Sequence, residues 1–402
     1  MAARGIVAEV VGGLFEAGRV RRLTTVLAVG CAVAYVAIIA LSKGLRLPSG
    51  DFAFGDLRCL LTSGKIALEG DLAHLYDPAR QAHVQSAMVA PEATLDLYLS
   101  PPFMAWVWAP LAALPFFTAG VVWNSLTAAI GALSAWLTAR SLDRSAVAIA
   151  LVLFAAEPFW QNLVMGQDSA IALLLYAGAL VAWRGQRELL AGVLIGVGSF
   201  KPQLFWLVPV AMLAARRWRA LGGFAATTAA LAGVSLMLVG WAGAKQYVWL
   251  LRSPLYHVQI DVHLPMTMGI PTFVKSFLPE PYAAVVGVIA ALVVTVIVWR
   301  GARLNPSRLI GLGALGSMLA APHGFIYDAI VLLVPLAELH AEDPRRGTLA
   351  TAYVVALTWL IPLTRDFSTE PWPMRIIATP WTTVAVAIAF FYYVASLSWE
   401  RR

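Results

Sequence analysis

Residues 23–41 read LTTVLAVGCAVAYVAIIAL, an uncharged run entered through Arg19, Arg21 and Arg22. A helix needs about 20 such residues to cross a bilayer, so this stretch reads as a first membrane span. The arginines before it hold its N-terminus inside. The charged leader is long and the apolar run continues past Ala34, so the segment reads as a retained helix rather than a cleaved signal. Comparable runs recur along all 402 residues, of which 60% are hydrophobic and 13% charged. Soluble domains carry roughly a quarter charged residues. Backbone groups in hydrocarbon must pair internally, which leaves helices as the spanning element. The apolar runs are continuous rather than alternating, which argues against a β-barrel.

Moving outward from the first span, nearly sixty residues follow without another, Ser42 to Ser100. Within them Leu57, Leu60, Leu61 and Leu68 share one helical face, with Arg58, Thr62, Lys65 and Glu69 on the other. That pattern suits a helix lying in the membrane interface. Residues 103–114 read as a short or re-entrant piece and 116–139 as a full span. Further runs lie at 145–163, 168–183, 189–200, 203–215, 220–242, 281–299, 308–321, 325–339, 348–364 and 376–398. Lys201-Pro202 splits the 189–215 stretch into two short helices, because proline breaks a helix interior. The expectation is an all-α polytopic membrane protein, one domain over residues 1–402, with about twelve (11–13) spans and both termini inside. Charge supports the orientation. Eighteen of the 29 basic residues, all arginine, and only eight of the 22 acids fall on the inner side. The net charge of +7 sits in short clusters between apolar runs, which does not suggest nucleic-acid binding. Two cysteines exclude a disulfide framework.

On this map the outer face gathers the polar residues and the irregular backbone. Asp51, with Asp56 five residues on, follows the first span; an aspartate there suits a helix N-cap or a base. Gly166-Gln167-Asp168 joins two spans, either as a capping turn or as hydrogen-bonding groups for a sugar. Lys201 interrupts an apolar run, where a charge is costly and a functional role is the default. It either snorkels to the interface or meets a phosphate. His323 follows Pro322, and Tyr327-Asp328 lies one turn into the next run, read either as a satisfied buried pair or as site residues. Tyr98, Arg252 and His263 complete the outer set. The histidines show no metal-ligand spacing, and P-loop, Rossmann and HExxH patterns are absent; no metal and no cofactor are expected.

The order of these pieces resembles glycosyltransferase family 87. Asp51-Phe52-Ala53-Phe54, Leu75-Tyr76-Asp77-Pro78 and Tyr98-Leu99-Ser100-Pro101-Pro102-Phe103 are similar to successive elements of that family, the last with an inserted serine. Pro110 to Pro115, Gly166-Gln167-Asp168, Lys201-Pro202-Gln203 and the Arg-Arg-Trp-Arg turn at 216–219 follow in the same order. Pro322-His323 with Asp328 is a weaker echo. The resemblance implies a GT-C bundle in a bacterial inner membrane, working on its outer face. It implies a polyprenyl-phosphate sugar as donor, with mannose the expected hexose, and a glycolipid or lipid-linked glycan as acceptor. It makes Asp51 the matching position for the general base, with Asp56 second. A polyprenyl phosphate leaves readily, so one carboxylate suffices to deprotonate the attacking hydroxyl. Single displacement at an oxocarbenium-like centre inverts the anomeric carbon. Cations must meet the departing phosphate; Lys201, His323 and Arg252 are the expected set, with Gln167, Asp168, Tyr98, Tyr327, Asp328 and His263 left for sugar or acceptor. A secondary transporter or lipid flippase is the alternative, since interrupted helices with midplane polar groups also mark transporters.

Overall fold

The computed structural model describes residues 17–42, 46, 52–89, 95–364 and 380–397. The chain is an all-α membrane protein. Among the described residues five helices are long and apolar enough to cross a bilayer: Arg21–Leu41, Phe116–Leu142, Trp218–Arg252, Tyr282–Leu304 and Pro344–Leu363. A sixth crossing is made if Ala146–Ala155 and Glu157–Met165, bent by 65° from one another, count as one. The expected twelve spans are not reproduced as full-length helices. Several of the apolar runs form shorter helices instead, among them Phe103–Ala112, Ser169–Arg184, Glu188–Phe200, Pro202–Ala214 and Trp381–Ser396.

The breaks have local causes. Lys201 sits at φ −127°, ψ 69°, because the residue before a proline is excluded from the helical region. Ala156 is extended (φ −84°, ψ 131°) between the two bent helices, and Pro158 follows at the start of the second. Trp218–Arg252 turns at Gly240, whose φ of 65° suits glycine. At the centre lies Leu309–Ala320, every residue of which is buried. It packs against Leu207–Ala214, Tyr282–Leu304 and Trp381–Ser396. A short antiparallel ladder, Thr267–Met268 with Gly324–Phe325, ties the segment before residue 270 to the segment after this central helix.

The helix expected in the membrane interface is present as Leu57–Leu68, but its surroundings differ. Arg58 and Thr62, assigned to the polar face, are buried along with Leu57, Leu60 and Leu61, whereas Leu68 is exposed. The helix packs in the protein against Phe103–Ala112. Small residues allow this. A Cβ on Gly64 would lie 2.7 Å from the Trp108 carbonyl carbon and 2.8 Å from the Ala109 nitrogen. The buried hydroxyls turn to their own helix, Thr62 Oγ1 to the Arg58 carbonyl at 2.7 Å and Ser63 Oγ to that of Leu60 at 2.7 Å. Hydrophobic periodicity marks an amphipathic face without saying whether lipid or protein covers the other.

Because the atoms facing Gly64 are backbone, Gly64→Ala cannot be relieved by a rotamer change. It is expected to destabilise the fold by about 1–3 kcal/mol, seen as a lower thermal unfolding midpoint in detergent. An unchanged midpoint would contradict the close packing of the two helices.

Candidate functional site

The breaks at 166–168, 201–202 and 321–324 converge on one cavity of about 1370 Å³. Non-helical backbone at membrane depth is tolerated where it lines such a cavity. Residues 52–57 form one wall. Phe54 N donates to the Val164 carbonyl at 3.1 Å and Asp56 N to that of Met165 at 2.9 Å, docking the segment on the end of Glu157–Met165. Phe54 takes φ 58°, a left-handed conformation that costs a non-glycine residue about 1–3 kcal/mol. Its buried ring faces Gly120, where a Cβ would come within 2.1 Å of it. The wall is thus held in a strained shape by packing behind it.

Asp56 immediately precedes the first residue of Leu57–Leu68, and its side chain makes no cap hydrogen bond. Instead Asp56 Oδ2 accepts from Gln167 Nε2 at 2.8 Å. Burial raises the Asp56 carboxyl above the usual carboxylate range. The Gln167 hydrogen bond and the charges of His263, Arg58 and Lys201 oppose that rise. Gln167 Oε1 in turn faces Lys201 Nζ at 3.5 Å.

Lys201 is the hub of the cavity floor. Its ammonium lies 2.7 Å from Asp168 Oδ1, 2.9 Å from Asp328 Oδ1 and 2.9 Å from Ser169 Oγ. Ser169 Oγ also donates to Asp328 Oδ1 at 2.6 Å, and Asp328 Oδ2 accepts from Phe325 N at 3.1 Å. Asp168 makes no cap hydrogen bond to the helix it precedes; its charge serves the lysine. Lys201 therefore does not snorkel. A phosphate here would have to compete with two carboxylates already in place. Tyr327 lies beside the cluster, its ring centroid 5.2 Å from the ammonium, and no hydrogen bond joins it to Asp328.

Of the residues singled out in the sequence, Asp56, Tyr98, Gln167, Asp168, Lys201, His263, His323, Tyr327 and Asp328 all line this cavity. Asp51 lies outside the described residues; its neighbour Phe52 lines the cavity. Arg252 is an exception. It is the exposed last residue of Trp218–Arg252 and is not among the lining residues. The helix turns its Leu251 side inward, and Tyr256 on the next helix, Pro254–Val262, also lines the cavity. Tyr256 Oη lies 2.9 Å from His323 Nδ1. Burial pushes the His323 imidazole down to about 4, so at neutral pH it is an uncharged donor or acceptor rather than a cation.

The cavity also holds residues the sequence did not mark. Arg46 and Arg58 both approach the Phe52 ring, their guanidinium carbons 4.3 and 5.2 Å from its centroid. Asp96, Trp206 and Tyr247 line other parts. Arginine beside an aromatic is a weak sequence signal, and nothing in the spacing separates Asp96 from a surface acid. Among the described residues no group of three or more His, Cys, Asp or Glu side chains could hold a metal ion.

The ion cluster makes a direct prediction. Lys201→Met leaves two carboxylates buried without their cation and is expected to cost about 3–5 kcal/mol of stability. Adding Asp328→Asn should restore part of the loss in thermal unfolding measured in detergent. A wild-type midpoint for Lys201→Met would show that the cluster does not hold the floor.

The model of glycosyltransferase family 87 matches residues 98–322, more than half of the chain. No curated protein matches the chain.

Proposed function

The chain belongs to glycosyltransferase family 87, and from that premise we propose that it moves a hexose, mannose by the family resemblance, from a polyprenyl-phosphate donor to a lipid-borne acceptor at the outer face of a bacterial inner membrane. As a glycosyltransferase it must bind a donor and an acceptor. The observation that carries the lipid-linked reading is the position of Val288. This residue lines the cavity and is also 60% exposed on the membrane-spanning helix Tyr282–Leu304. The helix neighbours Val285, Ile289 and Leu292 are exposed as well, whereas Ala284, Gly287 and Ala291 line the cavity. One helix thus separates hydrocarbon from an ionic floor. A substrate with an isoprenoid tail and a polar head can lie across that boundary without moving its tail into water.

In this reading Asp51 is the general base, taking the proton of the acceptor hydroxyl as it attacks the anomeric carbon. The C–O bond to the acceptor forms as the bond to the phosphate oxygen breaks, and the configuration inverts. Asp56, fixed by Gln167, orients a substrate hydroxyl beside it. The departing phosphate carries the developing negative charge and needs cations. Lys201 is offset by Asp168 and Asp328; Arg46 and Arg58, whose guanidiniums flank Phe52 at the cavity wall, add positive charge on the phosphate's side, with His323 as a neutral hydrogen-bond donor.

The two aspartates are separated by experiment. With polyprenyl-phosphate mannose in reconstituted membranes, Asp51→Asn is expected to lower kcat by about 10²–10⁴-fold. Asp56→Asn should retain a larger share of turnover and raise KM. Wild-type turnover in Asp51→Asn with turnover lost in Asp56→Asn would make Asp56 the base. Failure of the wild-type protein to form a glycosidic bond from any polyprenyl-phosphate hexose would overturn the reading.

A further inference from the structure

One wall of the cavity is built by an unusual device. Gln81 and Gln85 are fully buried, four residues apart on the helix Pro78–Met88. Each grips the main chain of a single residue in the segment 95–100. Gln85 Oε1 accepts from Asp96 N at 3.0 Å, and Gln85 Nε2 donates to the Asp96 carbonyl at 2.5 Å. Gln81 Oε1 accepts from Tyr98 N at 2.9 Å, and its Nε2 donates to the Leu75 carbonyl at 2.9 Å and faces the Tyr98 carbonyl at 3.5 Å. The side-chain amides thereby stand in for a neighbouring β-strand.

The spacing explains why this works. Four helical residues rise about 6.0 Å, and two extended residues span about 6.6 Å. Two glutamines one turn apart therefore match alternate residues of an extended chain, and alternate side chains share a face. Asp96 and Tyr98 are the alternate pair, and both line the cavity. Tyr98 already directs its hydroxyl to the Pro101 carbonyl at 3.0 Å, and its ring lies against that of Tyr76. Of the pair, Asp96 is the one that carries a carboxylate, whose two oxygens offer more acceptor positions than its bond with Cys59 uses. Its carboxylate is hydrogen-bonded to Cys59, and it lines the same cavity as Asp56. It stands apart from the ion pairs of Lys201. A buried glutamine pairing both backbone groups of one residue fixes that residue's Cα, and so where its carboxylate can reach.

We propose that Asp96, held in register by the Gln81–Gln85 clamp, is the specificity-determining carboxylate that accepts a hydroxyl of a hexose bound in the cavity. The assignment rests on the glycosyltransferase reading above. A carboxylate placed by the main chain rather than by a long flexible side chain discriminates epimers, because a hydroxyl on the other face of the sugar cannot reach it. The hydroxyl belongs either to the donor sugar or to the terminal sugar of the acceptor. Gln85 acts through Asp96 and is a positioning residue.

The test uses the full chain in lipid nanodiscs. Methyl mannoside, glucoside and galactoside are ranked by saturation-transfer NMR, and the dissociation constant of polyprenyl-phosphate mannose is measured alongside. In Asp96→Asn, affinity for the preferred sugar should fall about tenfold or more, as expected for losing a hydrogen bond to a charged group. The ranking of epimers should flatten while the unfolding midpoint stays at the wild-type value. Gln85→Ala should flatten the ranking in the same way. Asp96→Glu keeps the charge but moves it by one methylene, so it should alter the ranking rather than abolish it. Weaker binding of polyprenyl-phosphate mannose would place the hydroxyl on the donor, and weakening confined to the methyl hexosides would place it on the acceptor. An epimer ranking preserved in Asp96→Asn, or a wild-type protein that ranks no epimers, overturns the proposal. If the wild type ranks epimers through Asp96 but transfers no sugar, the function fails and the site stands. If it transfers sugar with the same preference in Asp96→Asn, the site fails and the function stands.

Discussion

The ammonium of Lys201, held at 2.7 and 2.9 Å between the carboxylates of Asp168 and Asp328, is the constraint on which the cavity depends. Three charges have been taken out of water. Each would be expensive alone, and their mutual attraction offsets that expense only with good geometry and additional hydrogen bonds. Ser169 and the Phe325 N–H provide those bonds. The charges come from three places: the start of Ser169–Arg184, the Lys-Pro break and the 3₁₀ helix Ile326–Leu332. Apolar side chains there could slide past one another. An ion cluster of this kind admits one arrangement.

From that cluster the order passes outward. Gln167 lies between Lys201 and Asp56, facing one through its carbonyl and donating to the other through its amide. Its backbone carbonyl accepts from Trp123 Nε1 at 3.2 Å, which ties the turn to the long helix Phe116–Leu142. The same long helix carries Gly120, against which the strained Phe54 packs. The central helix Leu309–Ala320 is also pinned at both ends. His323 and the β-ladder lie just beyond its last residue. At the other end buried Arg308 stacks its guanidinium 3.9 Å from the Tyr393 ring centroid and pairs with Glu342 at 2.8 Å. A helix fixed in this way transmits position rather than motion.

The sequence made much of this legible for a physical reason: charge inside apolar runs is costly, so Lys201, Asp168 and Asp328 were visible as exceptions. The Lys-Pro step likewise announced its break. What stayed hidden was of a different kind. Leu57–Leu68 read as an interfacial helix because amphipathicity reports that a face is apolar, not what covers its other side. The count of full-length spans did not follow from the apolar runs, because short helices that meet at breaks leave the same apolar trace as continuous ones. Arg252 looked well placed by its number in the chain. The phase of its helix turned Leu251 inward instead, and Tyr256 enters the cavity from the following helix, Pro254–Val262. Gln81 and Gln85 carry no signal at all, since two glutamines four apart in a polar stretch look like any solvent-facing pair. Asp51 remains an inference from the family's order of motifs.

The arrangement of charge also constrains the chemistry. The Lys201 cluster carries two carboxylates and one ammonium, a net negative floor, and Asp56 and Asp96 line the same cavity. Such a floor repels a phosphate and suits the hydroxyl-rich body of a sugar, whose O–H groups donate to carboxylates. The guanidiniums of Arg46 and Arg58 instead flank Phe52. The imidazole of His323, held neutral by burial, adds hydrogen bonding without adding charge. Acidic and basic side chains are thereby segregated to different parts of one cavity. Val288, which lines this cavity and is exposed on Tyr282–Leu304, is where the cavity wall meets the outer surface of the bundle.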